Sequence, residues 1–112
     1  MAGRYPTVPR DRRTCDGIVF DSKKEMDVYL GLKLRERLGE VKQLTHHPAY
    51  KCFIGGQHFT TYTPDFSYII NAENREEIVE VKSSGTRKDP AYRLRKKAAE
   101  LQYGIHIREI VR

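Results

Sequence analysis

The middle of the chain, from residue 49 to residue 84, is a succession of short strand-like segments separated by turns. The segments AYKCFI and QHFTTYT flank Gly55-Gly56, a pair typical of a tight hairpin. The segments DFSYII and EEIVEVKSS follow, and the polar turn Asn71–Asn74 separates them. Because short turns join antiparallel neighbours, the sequence predicts three to four antiparallel strands at the centre of the fold.

A predicted helix precedes these strands. Ser22 and Glu25 have the spacing of a capping box, and Gly39 stands where a glycine is expected to end a helix. This predicts a helix from about Ser22 to Leu38. Its apolar residues recur at four-residue spacing and are expected to form one face. They are Met26, Leu30, Leu34 and Leu38, with Tyr29 beside them.

A second helix and a last strand are predicted after the central strands. Pro90 can occupy the first turn of a helix that ends at Gly104. One side of this helix is apolar and the other carries a run of basic residues. The apolar residues are Leu94, Ala98 and Leu101. The segment IHIREIV alternates and predicts a final strand, so we expect an α/β fold with a single domain over residues 15–112.

The chain is short, polar and basic. It has 112 residues, and its 21 Lys and Arg residues against 15 Asp and Glu residues give a net charge of +6, which favours a polyanionic partner such as nucleic acid. Residues 1–14 contain four arginines and no apolar period, which predicts a flexible basic arm. No run is long and apolar enough for a membrane span, and the N-terminus does not resemble a secretory signal. The two cysteines fit reduced thiols, so we expect a cytoplasmic protein without a membrane partner.

Charged residues interrupt two of the central strands. Glu80 and Lys82 share one face of a strand, because alternate residues point the same way. Asp65 lies six residues before the polar turn and Glu80 six residues after it, so a hairpin would bring the two together. Clustered carboxylates repel one another unless a cation joins them, and hard oxygen ligands suit Mg²⁺ or Mn²⁺. Lys82 could then orient water or offset charge on a phosphate.

Ordinary structural roles are available for each of these residues singly. Glu25 can be the capping-box partner of Ser22, Asp65 can be a turn residue at the start of a strand, and Glu-x-Lys can be a solvated cross-strand ion pair. A zinc site is a separate possibility, since His46, His47, Cys52 and His58 fall within thirteen residues. Their spacing lacks the usual zinc-ligand pairs, and neither zinc nor a catalytic pair of Cys15 and Cys52 is expected.

Taken together, these residues resemble the PD-(D/E)xK nuclease superfamily. Pro64-Asp65 is followed fifteen residues later by Glu80-Val81-Lys82, and Glu25 on the preceding helix matches the acidic residue that such enzymes bring from their first helix. The segments GIVFDSKKEMDVYLGLKL, YTPDFSYII, VEVKSS and AYRLRKKAAELQYGIHIREI resemble a family of small phage-encoded proteins of unknown function interpreted as endonucleases. These proteins are similar in turn to the small Holliday junction resolvases of phage and archaea. The resemblance covers roughly residues 17–111.

The resemblance implies a fold and a set of residue roles. The fold would be a restriction-endonuclease-like αβββαβ core, with a mixed central sheet flanked by helices. Asp65, Glu80 and the backbone carbonyl of Val81 would bind Mg²⁺, for which Mn²⁺ substitutes. Lys82 would be the catalytic lysine, and Glu25 would bind or orient the metal or take part in binding a second ion. Ser83-Ser84-Gly85 follows the lysine where many relatives have a small residue, which is compatible with the pattern.

The expected activity is endonucleolytic cleavage of branched DNA, such as a four-way junction, by a homodimer in the bacterial cytoplasm. Alternatives are nicking, flap or single-strand nucleases, an RNA-processing nuclease, and a DNA-binding module of the same fold without activity. Basic residues of the arm and of the second helix region are expected to contact the phosphate backbone. They are Arg10, Arg12, Arg13, Arg87, Lys88, Arg93, Lys96 and Lys97.

Overall fold

The computed structural model of the chain describes residues 8–112, which form two α-helices and eight β-strands. The helices are α1 (Lys23–Arg37) and α2 (Pro90–Tyr103). The strands are β1 (Thr14–Cys15), β2 (Ile18–Val19), β3 (Val41–His46), β4 (Tyr50–Ile54), β5 (Gln57–Tyr62), β6 (Phe66–Ile70), β7 (Arg75–Lys82) and β8 (Ile107–Val111). Short 3₁₀ turns occupy Arg10–Arg13 and Thr86–Lys88.

The central sheet has four strands in the order β3-β6-β7-β8. Strand β6 is antiparallel to both β3 and β7, and β8 returns parallel to β7 after the crossover through α2. The fold is therefore a mixed α+β structure with the predicted element order αβββαβ. The predicted hairpin across Gly55-Gly56 is the separate pair β4-β5, inserted between β3 and β6 rather than added to the central sheet. The predicted antiparallel pairing before α2 and the predicted mixed sheet are both confirmed.

The two helices cover opposite faces of the central sheet. Because side chains alternate along a strand, Val79 faces α1 while Ile78 and Glu80 face the other side. The core under α1 contains Phe20, Met26, Val28, Tyr29, Leu32, Val41, Phe66, Tyr68 and Val79. The core under α2 also includes residues of the β4-β5 hairpin and contains Cys52, Tyr62, Ile78, Tyr92, Ala99 and Ile107.

The predicted helix ends are confirmed. The Ser22 hydroxyl accepts a hydrogen bond from the amide of Glu25 at 3.1 Å, which begins α1 one residue after the cap. Asp89 caps α2, Pro90 is its first residue, and Gly104 ends it in the left-handed conformation that glycine adopts without steric cost.

The predicted apolar faces of both helices are wrong in detail. On α1, Leu30, Leu34 and Leu38 are exposed, and the buried apolar residues are Met26, Val28, Tyr29 and Leu32. On α2, Leu94 and Leu101 are exposed, and the helix is anchored by Tyr92 and Ala99. On α1 the physical reason is that a four-residue repeat drifts around a helix with 3.6 residues per turn, so the leucines after Met26 leave the buried face. On α2, Tyr92 and Ala99 are almost two full turns apart and share a face that does not include Leu94 or Leu101.

Residues 8–14 of the predicted arm are part of the ordered structure. Residues 1–7 of the predicted arm lie outside the described residues, whereas Arg10–Arg13 form a 3₁₀ turn and Thr14 pairs with Val19. The guanidinium of Arg13 donates to the carbonyl oxygens of Val8 at 3.0 Å and Phe20 at 2.7 Å. The predicted boundary after residue 14 therefore does not mark the start of regular structure. Within residues 8–112, neither helix has the length and apolar character needed to cross a membrane.

Candidate metal centre and basic groove

A cavity of about 750 Å³ opens where α1 begins and where β7 ends. All four predicted catalytic side chains line it: Glu25, Asp65, Glu80 and Lys82. Its wall is completed by Asp21, Ser22, Lys24, His47, Thr63, Val81, Ser83 and Thr86. The lining residues come from the start of α1, the end of β3, the start of β6, the end of β7 and the turn that follows it, so the fold gathers side chains that are far apart in the sequence.

Asp65 is held by the backbone of the neighbouring strand. Phe66 pairs with Val79, so Asp65 lies at the next position of the ladder, beside Glu80. The amide of Val81 donates a hydrogen bond to Asp65 Oδ2 at 2.7 Å, which fixes the carboxylate. Asp65 is only 9% exposed. Burial raises the pKa of Asp65 to about 6, opposed by the Val81 hydrogen bond and assisted by the nearby charge of Glu25.

Glu80 is the second buried carboxylate, with 6% of its surface exposed. The hydroxyl of Tyr62 donates to Glu80 Oε2 at 2.7 Å, and the Lys82 ammonium lies 3.7 Å from Oε1. Burial, and to a smaller extent the charge of Asp65, raise the pKa of Glu80 to about 7. Two carboxylates that disfavour each other's ionisation are therefore held side by side in one cavity.

Lys82 reaches the cavity along the face that it shares with Glu80. Its ammonium lies 4.3 Å from the centroid of the Tyr92 ring, within the range of a cation–π interaction. Tyr92 in turn donates a hydrogen bond to Glu109 at 2.7 Å, which fixes the ring. Helix α2 thus positions the lysine, a contact that sequence spacing did not reveal.

Glu25 takes part in only half of the predicted capping box. Its amide donates a hydrogen bond to the Ser22 hydroxyl, but its carboxylate contacts two histidines instead of the Ser22 amide. The Glu25 Oε1 atom lies 2.8 Å from His46 Nε2 and 3.2 Å from His47 Nε2. His47 Nε2 also lies 3.6 Å from Asp65 Oδ1, so this ring stands between the two acids.

The predicted DNA-contacting residues divide into two groups. Five of them, Arg87, Lys88, Arg93, Lys96 and Lys97, line a basic groove of about 730 Å³ along α2, together with Leu94, Glu100 and Glu109. Thr86 lines the carboxylate cavity and the next residue, Arg87, lines this groove, so the two are adjacent. Arg10, Arg12 and Arg13 do not line the basic groove, and the Arg13 side chain is held by backbone carbonyl groups.

The four residues considered as zinc ligands from the sequence, His46, His47, Cys52 and His58, do not lie together in the structure. Cys52 is fully buried in the core under α2, and His58 is hydrogen-bonded to Thr61 at 2.8 Å. His46 and His47 instead join Glu25. The sequence pattern does not indicate this association or the roles of Tyr62 and Tyr92. Only Tyr62 carried a signal, since it lies three residues before Asp65 in the segment TYTPD.

Comparison with known proteins yields one family and no activity. The model of a family described as "Protein of unknown function (DUF1064)" matches residues 10–112, nearly the whole chain. No curated protein and no solved structure matches the chain.

Proposed function

The chain belongs to the DUF1064 family, and we propose that it is a metal-dependent DNA endonuclease that hydrolyses phosphodiester bonds. One observation carries the proposal: two buried carboxylates, Asp65 and Glu80, line one cavity with the ammonium of Lys82. The order Asp, Glu-x-Lys on these strands is the pattern that resembles the PD-(D/E)xK nucleases.

The donor set fits a hard divalent cation. Asp65 and Glu80 offer carboxylate oxygens, and Val81, whose carbonyl is the third ligand that the resemblance implies, lines the cavity next to them. Burial raises the pKa of both acids, so their ionised forms need a positive charge nearby. When bound there, Mg²⁺ supplies a Lewis acid for the phosphate and lowers the pKa of the attacking water.

Other residues of the chain have distinct roles in the proposed reaction. In the hydrolysis, water adds to phosphorus, one P–O ester bond breaks, and the leaving sugar oxygen takes up a proton. Lys82 holds a positive charge at the cavity, where charge accumulates on the phosphate oxygens. Tyr62 and the amide of Val81 hold Glu80 and Asp65 in place, so that little reorganisation is needed when the substrate arrives.

DNA is the proposed substrate because the basic groove adjoins the carboxylate cavity. A phosphate backbone lying along α2 would meet Arg93, Lys96 and Lys97 before it reaches Lys82. These contacts position a backbone without reading its sequence. We therefore assign the enzyme a preference for DNA shape, with a four-way junction as the first candidate.

A homodimer follows from that substrate. Resolution of a junction requires two cuts in opposed strands, and each chain offers one carboxylate cavity of this kind within residues 8–112. Nicking, flap and single-strand specificities remain alternatives that use the same centre. A non-catalytic binding module with the same fold would use only the basic groove.

Cleavage of labelled substrates tests the proposal. A four-way junction, a flap, a linear duplex and a single strand are incubated with the purified protein in Mg²⁺, in Mn²⁺ and in EDTA. We expect cleavage with either metal, none in EDTA, and the fastest cleavage for the junction. Equal rates on the junction and the linear duplex would exclude resolvase specificity. Absence of cleavage of every substrate would exclude the endonuclease.

A further inference from the structure

We propose that Glu25, His46 and His47 form a second cation site, separate from Asp65 and Glu80, that selects a divalent transition metal ion over Mg²⁺. One carboxylate oxygen and two imidazole nitrogens offer a donor set of the kind that binds Zn²⁺ or Co²⁺. Magnesium prefers oxygen ligands, so the same set disfavours it.

The distances fit shared coordination. Donor atoms about 2.1 Å from one tetrahedral or octahedral ion stand about 3.0 to 3.4 Å apart. The Glu25 Oε1 atom lies 2.8 Å from one imidazole nitrogen and 3.2 Å from the other, and all three donors lie within 4.8 Å of one another. Small side-chain movements would therefore place one ion among the three donors, with positions left open for water or a ligand.

Two departures from regular strand geometry build this cluster. The register of β3 against β6 shifts between Lys42 and Thr45, where Gln43 has a φ of 54°. One extra residue in a strand reverses the face of every residue after it, so the bulge turns His46 to the face of Phe66, under α1. There the His46 ring packs against Phe20 and Phe66 at centroid distances of 5.0 and 5.5 Å.

The second departure is at His47, whose φ is also 54°. Neighbouring residues of a regular strand point to opposite faces, but this left-handed conformation brings His47 back to the side of His46. The two rings stack at a centroid distance of 3.7 Å and reach the same oxygen of Glu25. Sparsely populated backbone conformations persist where the surrounding structure enforces them, and they concentrate at functional sites.

The Glu25 carboxylate is buried and faces the two imidazole rings. Only 3% of this residue is exposed, and within the described chain the two histidines are the side chains that contact its carboxylate. An ionised carboxylate in such a position is stable only when it is paired or coordinated. A bound transition ion meets this need while the imidazoles stay neutral, which is the form that coordinates a metal.

Metal titration of the untagged, metal-free protein tests the site. Co²⁺ binding is followed by visible absorption and Zn²⁺ binding by calorimetry. We expect one ion per chain with His and carboxylate ligation, no sulfur-to-metal absorption band, and no displacement by Mg²⁺ at equal concentration, in addition to any ion at Asp65 and Glu80 that Mg²⁺ displaces. His46→Gln, His47→Gln and Glu25→Gln should each weaken binding at least tenfold. His58→Gln and His106→Gln, which change the other two histidines, should bind as the wild type does.

Two further readouts separate this site from the nuclease centre and from misfolding. Asp65→Asn with Glu80→Gln should keep Co²⁺ binding even if it abolishes DNA cleavage. The melting temperature should rise with Zn²⁺ in the wild type but not in a folded His47→Gln variant. Absence of Co²⁺ binding, or binding that His46→Gln and His47→Gln leave unchanged, would overturn the second site whether or not the protein cleaves DNA.

Discussion

Asp65 and Glu80 are the residues on which the proposed chemistry depends. Each is buried, and burial raises the pKa of Asp65 to about 6 and of Glu80 to about 7. Their side chains are nevertheless held by good hydrogen bonds from Val81 and Tyr62. A protein that keeps two acids in such surroundings loses stability when both ionise, unless a cation is bound between them.

The sign of the resulting pH dependence follows from linkage. Both acids have folded-state pKa values above their unfolded values near about 4, so the folded protein holds their protons more tightly. The stability that they contribute is complete below about pH 4 and is lost as the pH rises through about 6 and about 7.

We therefore predict that Asp65→Asn with Glu80→Gln flattens the fall in unfolding free energy between pH 4 and pH 8 in EDTA. Mg²⁺ should raise the melting temperature of the wild type at pH 8, and much less at pH 5, where protons compete for the acids. The double variant should show neither Mg²⁺ effect. Asp27→Asn with Glu73→Gln, at exposed positions, is the matched control. Identical pH slopes in wild type and double variant would contradict the assigned burial effect.

At the scale of single elements, α1 shows that a leucine repeat in the sequence does not always mark the buried face of a helix. Leu32 is 5% exposed, whereas Leu34, one half-turn away, is 57% exposed. We predict that Leu32→Ala lowers the free energy of unfolding by about 2 to 5 kcal/mol, because it leaves a cavity in the core.

The same change at Leu34 should cost less than about 0.5 kcal/mol, because no core packing is lost. Urea unfolding of the two variants, followed by circular dichroism, measures the difference. Equal losses at the two positions would mean that Leu34 is buried in solution, against another part of the chain or against a second copy.

Some structural elements can be predicted from the sequence and others cannot. Helix ends are predicted by capping residues close by in the sequence, here Ser22, Pro90 and Gly104, and those ends are confirmed. The pairing of Asp65 with Glu80 follows from strand alternation and a short turn. The association of His46 and His47 with Glu25 does not, because it depends on a bulge at Gln43 and a left-handed residue that no local pattern specifies.

The buried faces of the helices could not be predicted from local sequence patterns either. Leucines at four-residue spacing fit a helix but do not say which of them faces the sheet. That choice depends on how α1 sits over Phe66 and Val79, which is a property of the tertiary packing. The same holds for Tyr92, whose contact with Lys82 joins residues from different elements.

At the scale of the whole molecule, the carboxylate cavity adjoins the basic groove. Four acidic side chains line the cavity, and five basic side chains line the groove along α2. This arrangement suits a polyanion held by its backbone with one phosphate brought to the acids.

We predict that Lys96→Ala with Lys97→Ala weakens DNA binding and lowers the slope of log K against log salt by up to about 2, because two phosphate contacts are lost. Fluorescence anisotropy with a labelled junction at several salt concentrations measures both quantities. Lys42→Ala with Lys51→Ala removes the same charge from exposed strand positions outside the groove and should leave the slope close to that of the wild type. If both pairs change the slope equally, DNA does not follow the groove.

The central claim is that the cavity of Asp65, Glu80 and Lys82 cleaves DNA, and Lys82 tests it most directly. The measurement is the rate of four-way junction cleavage in Mg²⁺ by Lys82→Gln, with Lys42→Gln as control and with binding measured in parallel in EDTA. We predict a loss of about 100-fold or more for Lys82→Gln with binding within about threefold of wild type, and an unchanged rate for Lys42→Gln. Cleavage by Lys82→Gln at the wild-type rate would contradict the account.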